Sequence, residues 1–359
     1  FLFAETKSSL GVAGPRFESM VQLAKRVGVI GSGAVGTYFG VRLAQLGHDV
    51  RFLVRQPQLE VPPAFVALSE TGGDFELLKP RTAPAPAALR DEGEDLDWVL
   101  VCLKSTALGA GAGQGAALGE MLAPCVGPRT RIQFLMNGIG VEELGAAHFG
   151  GKRVHGGLVY GGLTRLDTGV ARHAGVPAEI HGGSFIDDPA ELAAAAALWQ
   201  PVGGGAAPGA VAFKAQPCLR FARWGKLCWN IPFNGLTIAA GGVSVHEVWE
   251  HAATRAVART LIEEIVATAN ADLDAHAAPP ECRFDVALLW DKLSGITQSM
   301  SDVHYYPSTT LDFNAGNPLE LTSIFEEPLR RAEALKIHTP TLQTLVALLQ
   351  LLDRKHLKT

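Results

Sequence analysis

The stretch RVGVIGSGAVGTYFGVRLAQLGHDVRFLVR, residues 26–55, indicates the fold of the N-terminal half of the chain. Valine and isoleucine at 27–30 predict a β-strand, and the pattern G-x-G-x-x-G follows at 31–36. Apolar residues then recur at helical spacing until Gly47, where the helix should end, and residues 50–54 predict a second strand. The order strand, glycine turn, helix, strand predicts the first unit of a doubly wound α/β domain.

The three glycines of this turn have separate roles in a dinucleotide-binding fold. Gly31 permits the tight turn, Gly33 lets the backbone approach a pyrophosphate, and Gly36 lets the helix pack against the strand. The first turn of the helix then presents its backbone N–H groups to the phosphates. The motif predicts a cofactor site formed by Gly31, Ser32, Gly33, Ala34, Val35 and Gly36.

The end of the second strand distinguishes NAD from NADP, because an acidic residue there binds the ribose 2′-hydroxyl of NAD and repels a 2′-phosphate. This chain has Val54 followed by Arg55 at that point. An arginine can pair with a phosphate through two parallel hydrogen bonds. The sequence therefore favours NADP (NADPH), and the alternative is that Arg55 is an ordinary solvent-exposed arginine.

Two further predicted strands also end in polar residues. The segment DLDWVLVCLKST at 95–106 leads to Lys104, and RIQFLMNGIG at 131–140 leads to Asn137. Ligands of doubly wound sheets lie beyond the carboxyl ends of the strands, so both side chains are expected near the cofactor and the reacting carbon. Asn137 also fits a simple turn, since Asn-Gly is a common turn dipeptide.

The composition excludes several classes of protein. The chain has 359 residues, 47% hydrophobic and 19% charged, which favours two globular domains over disorder. A formal net charge of −5 gives no basic field for nucleic acid or an anionic membrane. Five cysteines without a C-x-x-C pair, and histidines that are not clustered, predict neither a metal site nor a disulfide framework and favour a reducing compartment. The longest uncharged run, 227–245, contains two asparagines and a proline, so we do not expect a membrane span.

We divide the chain into an N-terminal extension at 1–25, an NADP-binding Rossmann-type domain at 26–216 and an all-α C-terminal domain at 217–359. Glycine-rich turns and short β-like runs at 151–185 fit later strands of the first domain, and from 245 onward the pattern is almost entirely helical. The active site is expected in the cleft between the domains. The expected location is cytoplasmic, or organellar if the extension is the remnant of a targeting peptide.

The segment KLCWNIPFNGLT, residues 226–237, places one lysine and two asparagines among apolar neighbours. Lys226, Asn230 and Asn234 are four residues apart, so on a helix they share one face. That face must meet either water or a polar cleft, and exposed helical faces elsewhere in this chain carry mostly glutamate, arginine and lysine. Pro232 lies inside the predicted helix and is expected to bend it.

In this order, the motifs resemble those of the ketopantoate reductase (2-dehydropantoate 2-reductase) family over residues 26–350. The resemblance rests on GSGAVG, the strand-end Lys104, NGIG followed by two glutamates, and above all KLCWNIPFNGLT. It implies an NADPH enzyme with a Rossmann domain and a helical C-terminal domain that reduces ketopantoate to pantoate, in pantothenate and coenzyme A biosynthesis. It also implies that Lys226 is the general acid and that Asn230 and Asn234 hold polar groups of the substrate.

A second signature of the family has Ser, then Asp four residues later, then Gly, and Glu eight residues after the Asp. The segment PSTTLDFNAGNPLEL matches it with Ser308, Asp312, Gly316 and Glu320. The resemblance implies that Ser308 binds the substrate carboxylate and that Glu320 lies on the cofactor and substrate side of the cleft, although a capping or surface role for Glu320 is also open. The segment SMSD at 299–302 competes for the same signature, but its Asp is one residue too close.

The chain departs from the family pattern at three positions. Thr309 stands where Met is usual, Thr322 stands where an Asp commonly follows the Glu, and Ser244 stands where some members have Asn. These differences leave Lys226 intact but weaken the case for ketopantoate over another 2-oxo acid.

We therefore expect hydride transfer from NADPH to the C2 ketone of a branched 2-oxo acid, with Lys226 protonating the new alkoxide once burial lowers its pKa. The residues expected to bind the substrate are neutral and therefore do not cancel the positive charge of Lys226: they are Asn137, Asn230, Asn234 and Ser308. A reductase of another 2-oxo or 3-oxo acid and a non-catalytic NADP-binding sensor are the alternatives. The expected partner is a small molecule, with no metal, nucleic acid or membrane, and the chain is expected to be a monomer or homodimer.

Overall fold

The computed structural model describes residues 23–54, 62–92, 94–109, 113–205, 209 and 211–356. This part of the chain divides into two compact units, the first ending at Ala222 and the second beginning at Arg223. The sequence-based boundary lies slightly earlier, between residues 216 and 217.

The first unit is built on one mixed sheet, which has ten strands within the described residues. The strands are β1 (Arg26–Ile30), β2 (Asp49–Leu53), β3 (Ala64–Ser69), β4 (Phe75–Leu78), β5 (Arg81–Ala83), β6 (Trp98–Val101), β7 (Arg131–Phe134), β8 (Val154–Asp167), β9 (Val170–Ser184) and β10 (Ala212–Ala215). Their order is β4-β3-β9-β8-β7-β6-β1-β2-β5, and β10 pairs with β9.

The strands from β5 to β8 in this order are all parallel, and β1 lies among them with β2 on one side and β6 on the other. The chain therefore changes direction across the sheet at β1, which is the position where doubly wound sheets bind ligands at their carboxyl ends. The segment 151–185 forms two long antiparallel strands, β8 and β9, in place of the predicted short ones.

The strands of this sheet are apolar on both faces because helices cover both. Val27 and Val29 of β1 belong to a cluster with Phe39 of helix α1 (Ala34–Gln45), whereas Ile30 belongs to a second cluster with Phe134 of β7. The helices of the first unit are α1 (Ala34–Gln45), α2 (Gln114–Leu122), α3 (Val141–Phe149) and α4 (Pro189–Leu198). This is the Rossmann-type architecture predicted from the glycine turn.

The second unit is helical, and no strand occurs among its described residues from 223 onward. Its helices are α5 (Leu219–Ala239, starting just before the division), α6 (Val245–Glu250), α7 (Ala252–Ala275), α8 (Val286–Asp302), α9 (Ser308–Asn314), α10 (Glu327–Ala334) and α11 (Pro340–His356). A short π-helical turn at Thr322–Glu326 precedes α10. The predicted fold class, a Rossmann-type domain followed by an all-α domain, is confirmed. Within the described chain, every helix is too short or too polar to cross a membrane.

Helix α5 continues through Pro232 as a single helix of 21 residues. Most of its apolar side chains are buried, and Ile231 and Phe233 on either side of the proline are 0% exposed. Two tryptophans fix the helix to its neighbours through their indole N–H groups: Trp224 donates to Asp272 of α7 at 2.8 Å, and Trp229 donates to Thr297 of α8 at 3.1 Å. Packing and these buried hydrogen bonds hold the helix in place although Pro232 removes one backbone donor.

Candidate active site

The glycine turn after β1 has the backbone geometry of a dinucleotide-binding site. Gly31 has a φ of +96°, and a Cβ at this position would lie 2.7 Å from the carbonyl oxygen of Cys102. A Cβ on Gly36 would overlap the carbonyl oxygen of Gly31. Both positions therefore require glycine, the first for its conformation and the second for the close approach of α1 to the turn.

Gly33 differs from the other two glycines because its surroundings are open. A Cβ on Gly33 would meet no atom of the described residues within 4 Å, so the space in front of this residue can receive a ligand. No side chain caps α1 at Gly33, and the Ser32 hydroxyl donates to the carbonyl oxygen of Leu53 at 2.9 Å, which ties the turn to the end of β2. The open space and the N-terminus of α1 fit the pyrophosphate of a dinucleotide, and residues 31–36 are the candidates to hold it.

The neighbouring strand ends carry the other predicted cofactor residues. Lys104 follows β6 with an exposed side chain, and Asn137 follows β7 with a half-buried one. Since β1, β6 and β7 are adjacent and parallel, both side chains lie beyond the same edge of the sheet as the glycine turn. Arg55, the residue predicted to select NADP, lies outside the described residues.

Helix α3 begins directly after the Asn137 turn and carries two glutamates in its first turn. Glu142 is 2% exposed and lies so close to Gly156 of β8 that a side chain there would overlap its carboxylate. Glu143 pairs with Arg220 at 3.1 Å. A carboxylate near a helix N-terminus is favourable, and these contacts fix the backbone that follows Asn137.

In the helical unit, the predicted polar stripe of α5 is shielded from solvent. Asn230 is 7% and Asn234 3% exposed, whereas Lys226 keeps part of its surface. An exposed helical face would leave all three side chains in water, so the stripe lines a protected region of this unit.

The ammonium of Lys226 is electrostatically unusual. Its pKa is lowered to about 7, first because the surrounding protein desolvates the ammonium and then because the positive charge of Arg223 repels the added proton. Glu320, itself 4% exposed, acts in the opposite direction and partly restores the pKa. A lysine with a pKa near 7 can hold and release a proton at neutral pH, which an ordinary lysine cannot do.

The segment that carries the second predicted signature contacts the same helix, α5. Asn234 donates from Nδ2 to the hydroxyl of Thr309 on α9 at 3.0 Å, and its buried Oδ1 has no hydrogen-bond partner among the described residues. Ser308, the residue before Thr309, begins α9 with an exposed side chain. The competing Ser299 is also exposed, and its hydroxyl donates to the carbonyl oxygen of Gly295 within α8.

Ser244 has a structural contact in this chain. Its hydroxyl caps α6 by accepting from the backbone N–H of His246 and is bonded to the carboxylate of Glu247. The residue is fully buried, so its role is that of a helix cap.

Two family models match this chain, and together they cover most of it. The model described as "Ketopantoate reductase PanE/ApbA" matches residues 27–186, and the model described as "Ketopantoate reductase PanE/ApbA C terminal" matches residues 219–353. The chain belongs to the ketopantoate reductase family. It is therefore an oxidoreductase that acts on a CH–OH group in a family of dinucleotide-dependent reductases.

Individual proteins are similar to this chain over nearly its whole length. A 2-dehydropantoate 2-reductase from a Nostoc species is 25% identical over 334 residues, which are 92% of this chain and 96% of the relative. The crystal structure of 2-dehydropantoate 2-reductase from Geobacter metallireducens is 30% identical with a TM-score of 0.77, covering 90% of this chain and 99% of that one. D-mandelate dehydrogenase, solved with NADH and anilino(oxo)acetate, shares the fold with a TM-score of 0.74 at 17% identity, over 92% of this chain and 99% of that one.

One charged residue near Lys226 lies outside the motifs that identify this ketopantoate reductase family member. Arg223 is 2% exposed and precedes Lys226 by three residues on α5, where its charge lowers the pKa of Lys226. The spacing of three residues places both on one helical face, so the pattern R-W-G-K contains the signal.

Proposed function

We propose that this protein reduces 2-dehydropantoate (ketopantoate) to pantoate with NADPH, and that Lys226 is the general acid. The observation that carries the proposal is the lowered pKa of Lys226, to about 7, on a helical face that it shares with the buried Asn230 and Asn234. Membership of the ketopantoate reductase family supports the substrate class.

When bound, NADPH supplies the hydride that reduces the C2 ketone of the substrate. As that carbon is reduced, negative charge develops on the ketone oxygen and must be met by a positive group. Lys226 meets this charge with its ammonium and then gives its proton to the oxygen, so that the product leaves as an alcohol. Because its pKa lies close to neutral pH, the proton transfer requires little further energy.

The neutral amides position the substrate without competing for the lysine's charge. The unpartnered Oδ1 of Asn234 can accept a hydrogen bond from a substrate hydroxyl, which ketopantoate carries at its far end. We assign Asn230 and Asn137 to other polar groups of the substrate, Ser308 to its carboxylate, and Glu320 to the cofactor and substrate side of the site. The glycine turn at 31–36 and Lys104 would hold the cofactor.

The decisive experiment replaces Lys226. In Lys226→Ala we expect NADPH binding to persist and the rate of a single turnover at saturating ketopantoate to fall on the order of 10²–10⁴-fold. Lys226→Arg keeps the charge but cannot readily release a proton, so it should recover little of the rate. A single-turnover rate for Lys226→Ala within a few-fold of the parent would exclude Lys226 as the acid.

The preference for NADPH rests on Arg55. Arg55→Asp exchanges a partner of the 2′-phosphate for an acceptor of the ribose hydroxyls, so the ratio of kcat/KM for NADPH to that for NADH should fall. Measuring kcat/KM of the parent enzyme with each cofactor gives the starting ratio. An unchanged ratio in Arg55→Asp would show that Arg55 does not contact the cofactor.

A reductase of another 2-oxo acid is the second candidate. Thr309 stands where Met is usual in the family and Ser244 where some members have Asn, and both make internal hydrogen bonds in this structure. Initial rates with ketopantoate beside pyruvate and 2-oxoisovalerate separate the two candidates, because only ketopantoate carries the hydroxyl that Asn234 is proposed to bind.

A further inference from the structure

Asp272 of α7 is a buried carboxylate that contacts two other helices. It is 3% exposed, and its Oδ2 accepts the indole N–H of Trp224 on α5 at 2.8 Å. The same oxygen lies 3.3 Å from the guanidinium of Arg331 on α10. Burying a carboxylate is costly unless hydrogen bonds and an opposite charge compensate it, so these contacts stabilise one another. Asp272 thereby ties both α5 and α10 to α7.

Other charged groups surround this carboxylate. Arg331 also pairs through Nε with Glu327 at 2.8 Å, and Glu327 in turn pairs with the exposed Arg330 at 2.6 Å. His276, one turn after Asp272 on α7, has its Nδ1 3.6 Å from the carboxylate. Arg331 therefore contacts two carboxylates and keeps one of them if the charge of Asp272 is removed.

Trp224 lies two residues before Lys226 on α5. Two residues correspond to a rotation of about 200° around a helix, so the indole and the ammonium leave α5 on opposite sides. The indole is fully buried, and its hydrogen bond to Asp272 fixes the rotation of this turn of the helix. The depth at which the ammonium of Lys226 is desolvated depends on that rotation.

The rest of α5 is held by other side chains. Trp229 donates its indole N–H to α8 at 3.1 Å, and Asn234 donates to α9 at 3.0 Å. These contacts lie three and eight residues after Lys226. Loss of the hydrogen bond at Trp224 would therefore loosen the turn that carries Lys226, while the later part of α5, with the asparagines proposed to bind substrate, stays in place.

The π-helical turn at Thr322–Glu326 connects Glu320 to α10, the helix of Arg331. This turn packs on α5, because Phe325 is fully buried and its ring would lie 3.1 Å from a Cβ on Gly235. The turn is thus fixed by α5 on one side and leads into α10 on the other. The position of Glu320 therefore depends on how α10 is held.

We propose that Asp272 is a positioning residue for the proposed site: it holds α5, which carries Lys226, and α10, whose preceding segment carries Glu320. This inference rests on the function proposed above and adds to it a residue that acts through its neighbours. Burial lowers the pKa of Lys226, whereas Glu320 raises it. The two contacts of Asp272 therefore influence the protonation of Lys226 in opposite directions.

The test compares Trp224→Phe and Asp272→Asn with Trp249→Phe. Trp224→Phe keeps a buried ring and removes the N–H, so the turn that carries Lys226 loses its contact with α7. We expect kcat for ketopantoate to fall about tenfold while KM and NADPH affinity stay within about threefold of the parent, because a displaced proton donor affects the chemical step. Trp249→Phe removes an indole hydrogen bond outside α5, to Gln298 at 2.7 Å, and should leave kcat unchanged.

A second measurement follows Lys226 without catalysis. The rate of reductive methylation of Lys226, read by mass spectrometry against pH, gives the pH midpoint at which its amine becomes reactive. In Trp224→Phe the loosened turn gives the ammonium more contact with water, so the midpoint should move upward. Trp249→Phe should keep the parental midpoint.

Asp272→Asn tests the contact with α10. The amide oxygen still accepts the indole N–H of Trp224, so α5 stays attached to α7. Arg331 loses the charge of Asp272, so the segment that carries Glu320 is held less firmly. With a weaker influence of Glu320, the ammonium of Lys226 is less stabilised and the midpoint should move downward.

The outcomes separate the two proposals. A parent enzyme that reduces no 2-oxo acid overturns the proposed function, whereas midpoints that move in opposite directions still support the role of Asp272. Midpoints that do not diverge in this way, or an equal loss of kcat in Trp224→Phe and Trp249→Phe, overturn the role of Asp272 alone. If Asp272→Asn does not fold, a parental midpoint in Trp224→Phe leads to the same conclusion.

Discussion

Asn234 on α5 donates a hydrogen bond to Thr309 on α9 over 3.0 Å, with both side chains buried. The contact joins two segments that lie 75 residues apart in the sequence. It places the start of α9, and therefore Ser308, next to the polar stripe that contains Lys226. Thr309 stands where the family usually has Met. Its hydroxyl orients Asn234, one of the residues proposed to bind the substrate.

Thr309→Val removes the hydroxyl and keeps the shape of the side chain. Asn234 would then lose its hydrogen bond to α9, and we expect the free energy of unfolding to fall by about 1–3 kcal/mol. KM for the substrate should also rise, because the amide is no longer held. Thr310→Val is the matched control: it removes a buried hydroxyl bonded to Thr237 at 2.7 Å, so denaturant unfolding should show a loss of stability while KM stays constant. Equal effects of both variants on KM would argue against an orienting role for Thr309.

The glycine turn offers a second pair of variants. Gly36→Ala forces a Cβ onto the Gly31 carbonyl, so it should lower Tm and abolish NADPH binding together. Gly33→Ala adds a methyl group where no atom from the described part of the chain lies within 4 Å, so Tm should change little while the dissociation constant for NADPH rises at least 10-fold. Thermal unfolding and NADPH fluorescence titration measure the two effects. Parental NADPH affinity in Gly33→Ala would show that the pyrophosphate lies elsewhere.

The local features of this fold could be predicted from the sequence, because each depends on residues close together in the chain. The glycine turn follows from the spacing within 31–36, and the polar stripe follows from the period of the helix. The bend expected at Pro232 does not interrupt α5, which continues as one helix under the constraint of its buried neighbours. Local propensity is a weak guide where tertiary packing surrounds a residue so completely.

Long-range features of the site could not be predicted in the same way. The contact of Asn234 with Thr309 depends on how α9 packs against α5, which no spacing in the sequence specifies. The charge of Arg223 was visible in the sequence, but its effect on Lys226 depends on burial of the stripe. Desolvation is set by the surrounding fold and has no local signature.

The pH dependence of the reaction should report the protonation of Lys226. Its pKa is lowered to about 7, and only the protonated form can act as the acid. We therefore expect kcat/KM to be constant well below pH 7 and to fall about tenfold per pH unit above it. Lys226→Arg keeps its charge over the whole range, so its residual kcat/KM should lack this decline. A parent profile that is flat up to pH 9 would contradict the assignment.

The choice between the two serine segments can be tested directly. Ser308→Ala should raise KM for the 2-oxo acid about 10–100-fold, as expected for a lost hydrogen bond to a charged group, while NADPH affinity stays near that of the parent. Ser299→Ala removes an exposed hydroxyl that bonds its own helix at Gly295, so it should change neither KM nor kcat. If Ser299→Ala is the variant with the raised KM, the register that assigns Ser308 and Glu320 is wrong.

The last prediction concerns acid stability and a histidine outside the proposed site. His155 of β8 is fully buried, its ring centroid lies 4.9 Å from that of Trp98, and its Nε2 lies 3.5 Å from the carboxylate of Glu191. Glu191 is in turn paired with Arg131 at 2.6 Å. Burial lowers the pKa of His155 to about 4, an effect that Glu191 opposes and Arg131 reinforces.

The lowered pKa makes the folded state less stable in mild acid. An unfolded histidine titrates near pH 6.5, so between pH 6.5 and 4 the unfolded chain binds a proton that the native protein does not. The free energy of unfolding should therefore fall as pH drops through this window, by on the order of 3 kcal/mol for this residue, and not further below it. In His155→Phe the ring against Trp98 is kept and the titration is lost, so urea unfolding should show a flatter dependence on pH between 6.5 and 4.5. The exposed His338, replaced by Phe, controls for the loss of one imidazole and should retain the parental slope. An equally steep fall in stability in His155→Phe would show that other groups cause the acid sensitivity.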